Sequence, residues 1–215
     1  MNSDHPAARP DVPKAVVNRL SLYLRELQHL VRVGKQTISS VKLGQRLGVT
    51  DAQVRKDFAC FGQFGHPGVG YHCEDLIQRI RWILGTDRLW PVGLIGCGNL
   101  GQALLGYRGF DKQGFRVVAA FDVDPAIIGK VFEGLTVFDI AHLDDVVKKE
   151  KIRLVILAVP AKAVKSCVDK LVAAGISGIL NFAPITLTVP KNISVIGVDL
   201  AMELEQLAFA VVKHK

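Results

Sequence analysis

A glycine-rich motif placed between a strand and a helix is the feature that most constrains the fold of this 215-residue chain. The apolar segment 90–95 predicts a buried strand, the loop 96–101 reads GCGNLG, and residues 102–107 continue as a helix. This order of strand, GxGxxG and helix is the dinucleotide-binding fingerprint. Its first glycine permits a tight turn, its second lets the backbone approach a pyrophosphate, and its third allows the helix to pack against the strand.

An acidic residue follows at the spacing that the fingerprint requires. The second apolar segment, 116–121, ends in Asp122, about 20 residues after Gly101. A carboxylate there accepts hydrogen bonds from the adenosine ribose hydroxyls and repels a 2′-phosphate, and the next residue, Val123, is not a phosphate-binding arginine. The motif therefore favours NAD(H) over NADP(H). The alternative is that Asp122 only shapes the turn that follows it.

The rest of the carboxyl-terminal half alternates between strands and helices. Strands are predicted at 135–138, 154–159, 178–181 and 194–196, and helices at 142–149 and 161–174. This alternation predicts a Rossmann-type, doubly wound parallel sheet with its ligand at the carboxyl ends of the strands. The segments 158–160 and 181–184 end such strands, so either could line the nicotinamide half of the site. The residues predicted to contact NAD(H) are Gly96, Cys97, Gly98, Asn99, Leu100, Gly101, Asp122, Val123, Ala158, Val159 and Pro160.

The amino-terminal part predicts three short helices in a helix-turn-helix arrangement. Apolar residues recur every three or four positions over 17–31, which predicts a first amphipathic helix. A second helix, capped by Ser40, ends at Gly48, and the pair Thr50 and Gln53 forms a capping box for a third. A tight glycine-containing turn between the second and third helices is typical of helix-turn-helix motifs.

The third helix has the side chains of a DNA-reading element. Its apolar residues share one face, whereas Gln53, Arg55 and Lys56 spread over the rest of its surface. Arg and Gln can make bidentate hydrogen bonds to guanine and adenine in a major groove. A solvated helix face with two cations is the alternative. The following run 62–71 contains four glycines and predicts a hairpin tip, a wing in which His66 is the one potentially cationic side chain.

Charge and cysteine content narrow the class of protein. Residues 1–86 contain 12 Lys or Arg and seven Asp or Glu, so most of the net charge of +7 lies in the amino-terminal part. A basic surplus of this kind is compatible with a polyanionic partner. The four cysteines show no CxxC or framework spacing, and no apolar run approaches the roughly 18 residues of a membrane span. We therefore expect a cytoplasmic protein with free thiols and no membrane association.

These motifs together resemble the Rex family of redox-sensing transcriptional repressors. The resemblance extends from about residue 13 to 211 and rests on motifs in family order at 54–57, 61–71, 96–101, 121–125, 181–184 and 198–200. It implies a homodimeric bacterial repressor that binds an inverted-repeat operator in double-stranded DNA and is released when NADH replaces NAD⁺. In this family the carboxyl-terminal helices are exchanged between subunits, which implies an interface role for the apolar stripe over 204–211. Docking of that helix on its own domain is the alternative.

The resemblance also implies roles for individual residues. Arg25, Tyr107 and Asp199 match family positions that couple the cofactor state to domain rotation, and Leu200 stands where some relatives carry Phe near the nicotinamide. His66 occupies a wing position that is often basic in the family. The predicted DNA-binding residues are Ser39, Ser40, Lys42, Gln53, Arg55, Lys56 and His66, and the predicted switch residues are Arg25, Tyr107, Asp199 and Leu200.

The expected fold is α/β, in three parts. Residues 1–86 form a winged helix-turn-helix DNA-binding domain, 87–198 a Rossmann NAD(H)-binding domain, and 199–215 a carboxyl-terminal helix that is exchanged in the dimer. The 129 residues after position 86 are consumed by one dinucleotide-binding domain and a helix, so no substrate domain, catalytic residue or metal site is predicted. The alternatives are an NAD-dependent oxidoreductase and a repressor that senses another nucleotide, such as a coenzyme A derivative. Asp122 argues against the latter, because the ribose of coenzyme A is phosphorylated.

Overall fold

A computed structural model describes residues 12–62, 65 and 69–213. The predicted wing residue His66 therefore lies outside the described residues. The chain divides after Arg88 into two compact units. The first unit is mainly helical and the second is α/β.

The amino-terminal unit is built on four helices around one apolar core. The helices are α1 (Lys14–Arg32), α2 (Ser40–Leu47), α3 (Asp51–Ala59) and α4 (Cys73–Leu84), and two short strands are β1 (Thr37–Ile38) and β2 (Tyr71–His72). The apolar stripe of α1 packs against α4, and its Leu20 and Leu27 are fully buried. Phe58 of α3 lies between Tyr23 and Tyr71, in edge-to-face contacts with ring centroids 5.2 and 5.0 Å apart. The core therefore fixes α3 through its aromatic face.

The turn between α2 and α3 confirms the predicted helix-turn-helix. Gly48 ends α2 in the left-handed conformation, with φ of 68°. The backbone amide of Gln53 donates a hydrogen bond to Thr50 Oγ1 at 3.1 Å, and this contact caps the start of α3. A Cβ on Gly44 would lie 2.5 Å from the Val49 carbonyl oxygen, so only glycine lets α2 approach the turn this closely.

Two predicted helix caps differ from the structure. Ser39, not Ser40, caps α2, because its Oγ accepts a hydrogen bond from the Lys42 amide at 3.2 Å. The capping box of α3 is only half formed. The Gln53 side chain donates to the Asp57 carboxylate at 2.7 Å instead of returning to the start of the helix.

The strands of the first unit form a two-stranded antiparallel sheet, in which β1 pairs with β2. Among the described residues, the strand after the glycine-rich run thus pairs with a segment that precedes α2. The predicted hairpin would instead require a partner directly before the run. Two-residue strands carry too little alternation to be recognised in a sequence, which is why β1 was not predicted.

The carboxyl-terminal unit is a seven-stranded sheet covered by helices. Its elements are β3 (Trp90–Ile95), α5 (Asn99–Leu105), α6 (Gly109–Lys112), β4 (Phe115–Asp122), β5 (Val131–Phe132), β6 (Leu135–Asp139), a 3₁₀ turn (Ile140–His142), α7 (Leu143–Glu150), β7 (Leu154–Leu157), α8 (Ala161–Ala173), β8 (Gly178–Asn181), β9 (Ser194–Gly197) and α9 (Leu200–Lys213). The strand order is β5-β6-β4-β3-β7-β8-β9, and all neighbours are parallel except β5 and β6.

The winding of this sheet confirms the predicted Rossmann-type fold. The chain starts at the central strand β3, adds β4 and β6 on one side, and then crosses back to add β7, β8 and β9 on the other. Successive side chains of β3 pack in two different apolar clusters. Leu94 packs in the cluster that includes α5 and α6, and Ile95 packs in the cluster that includes α7 and α8. The reversal between β3 and β7 creates a crevice at their carboxyl ends.

Several boundaries in this unit differ from the predicted ones. Helix α5 begins at Asn99, inside the glycine motif, and ends at Leu105, so Tyr107 lies beyond it. Strand β7 ends at Leu157, which leaves 158–160 as the loop that leads into α8. The short elements α6 and β5 were not predicted.

The carboxyl-terminal helix α9 buries none of its side chains. Leu204 and Leu207 of the predicted stripe are 65% and 59% exposed, and Phe209 and Val212 are 70% and 73% exposed on other sides of the helix. Docking of α9 on its own chain is therefore not observed. No helix in the described part of the chain is long and apolar enough to cross a bilayer.

Candidate functional site

A cavity of about 460 Å³ lies where β3, β4 and β7 end. Nine of the eleven residues predicted to contact NAD(H) line it, namely Gly96, Gly98, Asn99, Leu100, Asp122, Val123, Ala158, Val159 and Pro160. The remaining two, Cys97 and Gly101, are buried and do not line it. The lining residues that sequence reasoning missed are Ile95, Asp124, Ile127, Ile140, Lys162, Ala163 and Cys167. Apart from Asp124 and Lys162, these missed side chains are apolar and carried no motif.

The glycines of the loop serve different purposes. A Cβ on Gly96 would lie 2.4 Å from the Ala158 carbonyl oxygen, and one on Gly101 would lie 1.9 Å from the Gly96 carbonyl oxygen. The protein's own backbone therefore requires these two glycines. A Cβ on Gly98 would meet nothing within 4 Å, so the fold itself does not require glycine there. Open space at this position fits the close approach of a pyrophosphate.

Asp122 ties the end of β4 to the glycine loop. Its Oδ2 accepts a hydrogen bond from the Cys97 amide at 2.7 Å, and its Oδ1 accepts from the Val123 and Asp124 amides at 2.7 and 3.0 Å. A carboxylate has about four acceptor positions, so about one remains for a ligand hydroxyl. The predicted ribose contact and the alternative turn role are thus compatible in one side chain.

Cys97 is a buried thiol in the middle of the loop. Its side chain is inaccessible to solvent, and its Sγ lies 3.6 Å from the Phe121 carbonyl oxygen. Burial, with a smaller contribution from the Asp122 charge, raises the pKa of this thiol to about 12. Because the thiolate is the reactive form, Cys97 acts as a small apolar residue at neutral pH.

The exposed face of α3 is joined to the start of α2. Arg55 Nη1 donates to Asp51 Oδ2 at 2.6 Å and to Ser40 Oγ at 3.2 Å. Lys56 is exposed next to it. Ser39 and Lys42 lie with Ser40 at the beginning of α2. We call these five residues and Asp51 the polar surface of the helix-turn-helix. DNA contact by the five predicted residues stays a prediction, and Asp51 was not among them.

Gln53, the other predicted base contact on α3, belongs to a buried polar cluster around Asp57. The Asp57 carboxylate is 1% exposed and accepts hydrogen bonds from Arg19 Nε at 2.6 Å, Arg19 Nη2 at 2.8 Å, Tyr23 Oη at 2.9 Å and Gln53 Nε2 at 2.7 Å. Burial alone would raise the pKa of Asp57, but these hydrogen bonds and the Arg19 charge outweigh it and hold the pKa below its usual value. Sequence reasoning missed this cluster, although an acidic residue beside Phe58 on the apolar face was a signal for it.

The four predicted switch residues lie in both units. Arg25 is exposed on α1, and Tyr107 packs edge-to-face on Phe110 with ring centroids 4.9 Å apart. Asp199 Oδ1 accepts a hydrogen bond from the Ala201 amide at 2.9 Å and so caps α9, while Leu200 is exposed. These contacts are local, and the coupling role of the four residues stays a prediction.

Two family models match the chain. The model described as "CoA binding domain" matches residues 87–185. The model described as "Putative DNA-binding protein N-terminus" matches residues 11–59. The two matches leave residues 60–86 between them, and this gap lies within the amino-terminal unit of the structure.

Curated relatives and solved structures match over nearly the whole length. The redox-sensing transcriptional repressor Rex of Carboxydothermus hydrogenoformans is 46% identical over 198 residues, which are 92% of this chain and 95% of the relative. Rex of Roseiflexus sp. is 43% identical over 197 residues, 92% of this chain and 90% of the relative. The crystal structure of RSP in complex with β-NAD⁺ and operator DNA has a TM-score of 0.89 at 36% identity and covers 95% of this chain and 94% of that one. RSP in complex with β-NADH has a TM-score of 0.86 at 35% identity, with coverage of 94% and 95%.

A helix-turn-helix unit joined to a dinucleotide-type α/β unit defines a DNA-binding regulator that responds to a nucleotide ligand. RSP, which shares this architecture with a TM-score of 0.87, is a Rex-family repressor. With identities above 40% over more than 90% of its length to several relatives, the chain belongs to the Rex family of redox-sensing transcriptional repressors.

Alanine at Gly98 and at Gly101 should separate ligand binding from folding. Gly101→Ala drives a Cβ into the Gly96 carbonyl oxygen and should lower the free energy of unfolding by about 1–3 kcal/mol. Gly98→Ala meets no protein atom, so it should cost less than about 1 kcal/mol while weakening NADH binding. Thermal unfolding and NADH fluorescence titration measure the two effects. A Gly98→Ala protein that melts as low as Gly101→Ala would contradict this assignment.

Only Cys60 should react with a thiol reagent in the native protein. Cys60 is exposed at the end of α3, whereas Cys73, Cys97 and Cys167 are buried and burial raises the pKa of each. We expect iodoacetamide at neutral pH to modify one thiol per native chain, and all four in denaturant. Cys60→Ser should remove the native reaction. Fast modification of Cys97 in that variant, detected by mass spectrometry, would show that the loop thiol is reactive after all.

Proposed function

We propose that the protein is a homodimeric transcriptional repressor that senses the ratio of NADH to NAD⁺. It binds an inverted-repeat operator when free or bound to NAD⁺ and leaves it when NADH binds. The observation that carries this proposal is the presence in one chain of a helix-turn-helix unit and a cavity lined by nine predicted NAD(H)-binding residues. The complexes of the Rex-family repressor RSP with NAD⁺ and operator DNA and with NADH support it.

We assign one role to each of the three parts predicted from the sequence. In this proposal residues 1–86 read the operator, residues 87–198 bind NAD(H), and residues 199–215 join two subunits. Because the partner is operator DNA, we expect the protein to act in the cytoplasm.

NAD(H) is the regulatory ligand that the cavity fits best. The free acceptor position of Asp122 suits a ribose hydroxyl, and its negative charge opposes the phosphorylated ribose of NADP(H) or a coenzyme A derivative. Gly98 leaves room for the pyrophosphate. Lys162 is the one cation among the lining residues and favours a ligand that carries phosphate. The apolar wall of Ile127, Ile140 and Ala163 suits the adenine ring.

The operator contacts are assigned to the polar surface of the helix-turn-helix. Arg55 and Lys56 on α3 are exposed cations that can reach bases or phosphates in a major groove. Ser39, Ser40 and Lys42 at the beginning of α2 suit contacts to the phosphate backbone, as in other helix-turn-helix proteins. His66 is assigned to the wing from the sequence.

Release by NADH is a shift between two dimer conformations. NADH binds better to a conformation whose two recognition helices cannot reach successive major grooves together, whereas the free and NAD⁺-bound dimer can. By linkage, operator DNA lowers the affinity for NADH by the same factor by which NADH lowers the affinity for DNA. No hydride is transferred in this cycle. The Rex relatives from Roseiflexus and Carboxydothermus are named transcriptional repressors, which favours regulation over the oxidoreductase alternative.

The second subunit is proposed to cover α9. This helix exposes apolar side chains on several sides, and a surface of that kind on a water-soluble regulator marks an interface. The resemblance to the Rex family supplies the occupant, a second copy of the chain, since family members exchange this helix.

Operator binding should respond to NADH and ignore NADPH. Fluorescence anisotropy of an operator selected from random duplex DNA should show release on addition of NADH, no release with NAD⁺, and little effect of NADPH because of Asp122. The double variant Arg55→Ala, Lys56→Ala should lose DNA binding and keep NADH binding. Undiminished operator binding at saturating NADH would contradict the sensor, and equal potency of NADPH would contradict the role of Asp122.

A charge on the apolar stripe of α9 should break the dimer. Leu207→Glu puts a carboxylate into the proposed subunit interface, and we expect a monomer by sedimentation where the wild type is a dimer. Gln206→Glu adds the same charge one position away from the stripe and should remain dimeric. A Leu207→Glu dimer as stable as the wild type would show that α9 does not form the interface.

A further inference from the structure

Asp57 holds a position that neither the apolar core nor the exposed cations of α3 explain. Asp57 is the only charged residue in the described part of the chain with less than a tenth of its surface exposed. Its carboxylate accepts four hydrogen bonds, two from Arg19 on α1, one from Tyr23 and one from Gln53. A single ion pair would suffice to join α1 to α3. The fourth bond instead reaches along α3 to Gln53, one turn closer to the end of the helix that enters a groove.

The charge of Asp57 decides which way the Gln53 amide faces. An ionised carboxylate can only accept hydrogen bonds, so the amide nitrogen must point at it, and the reversed amide would place two acceptors 2.7 Å apart. Arg19 keeps that carboxylate ionised by its bidentate pairing. Gln53 Oε1 makes no hydrogen bond within the described part of the chain, and the side chain is half-buried. The orientation therefore leaves the carbonyl oxygen as the free end of the amide.

We propose that Asp57 is a positioning residue for operator recognition, which fixes Gln53 so that it presents its carbonyl oxygen to a base. In the major groove this oxygen accepts a hydrogen bond from adenine N6 or cytosine N4 and is repelled by guanine O6 and thymine O4. Gln53 thus selects an amine-bearing base at one position of each half-site. This inference rests on the proposed operator binding and adds the reason why one base is read.

The alternative is that the cluster only stabilises the domain. A stabilising role would change the fraction of folded protein, and with it the apparent affinity for every operator alike. A positioning role changes the ratio of affinities between two operators that differ at one base. That ratio is independent of the folded fraction, so it separates the two roles.

The experiment measures this ratio for a set of variants. The wild-type operator is first selected from random duplex DNA, each half-site position is replaced by all four base pairs, and dissociation constants are measured by fluorescence anisotropy. We expect one position where the wild type prefers adenine or cytosine over guanine or thymine by about tenfold, the size of a single well-placed base contact. Gln53→Ala and Asp57→Asn should each reduce this preference to less than about twofold.

Two variants serve as controls. Arg19→Lys keeps a cation beside Asp57 and should retain the preference. Asp51→Asn removes the same charge from α3 without touching Gln53, since Asp51 pairs with Arg55, and should leave the preference at the Gln53 position unchanged. In the double variant Gln53→Ala, Asp57→Asn, the base preference should fall by the same factor as in either single variant.

The outcomes distinguish this inference from the proposed function. If the wild type selects no operator, the proposed function fails. If it selects one and Asp57→Asn retains the full preference at every position, Asp57 does not position Gln53. If Asp57→Asn does not fold, the Gln53→Ala variant provides the test. The proposal is overturned if Gln53→Ala loses a preference for guanine or thymine instead of adenine or cytosine, or if it keeps every preference of the wild type.

Discussion

The cofactor unit depends on how closely helix α5 approaches the end of β3. Gly101 stands almost in contact with the Gly96 carbonyl, and Gly96 in turn stands against the Ala158 carbonyl at the end of β7. The Asp122 carboxylate joins the third strand end by holding the Cys97 amide. Three strand ends are therefore joined, two by close backbone contacts and one by a side-chain carboxylate, and the crevice between them is set by the fold before any ligand arrives.

The amino-terminal unit depends on a different kind of interaction, a buried charge. Asp57 is compensated by three side chains, whereas Asp51 and Arg55 form a separate pair of exposed side chains on α3. An exposed ion pair between residues four apart on a helix contributes little to its stability. A phosphate or a guanine can therefore take Arg55 from Asp51 at small cost, while the Asp57 cluster stays in place. The exposed pair on α3 is thus free to exchange partners, whereas the buried cluster is fixed.

The sequence predicted the parts of the fold that repeat a local pattern. The GxGxxG loop, the acid after β4, the apolar strands and the glycine that ends α2 each follow from rules that involve neighbouring residues, and the structure contains them. The pairing of β1 with β2, the two-residue strand β5 and the turn α6 were missed because they depend on distant contacts or are too short to show a period. Gln53 was predicted as a base contact from its residue type alone, and its bond to Asp57 became visible only when α1 supplied Arg19 and Tyr23. Burial of a charge is a tertiary property, so the helix pattern could only mark Asp57 as out of place.

The chemistry of the ligand limits what the cavity itself can do in redox sensing. NAD⁺ and NADH share their adenosine diphosphate half, so in the proposed site Asp122, Gly98 and the apolar wall would contact the same atoms in both. A ligand shifts an equilibrium only by the difference between its affinities for the two states. Contacts that are equal for NAD⁺ and NADH raise the affinity for both and contribute nothing to the difference between them. Redox discrimination must then come from the nicotinamide half and the elements that meet it. For this reason, the residues that set the affinity for NAD(H) and those that set the response to its redox state are expected to be separable by mutation. The predicted switch residues Arg25, Tyr107, Asp199 and Leu200 belong to the second group.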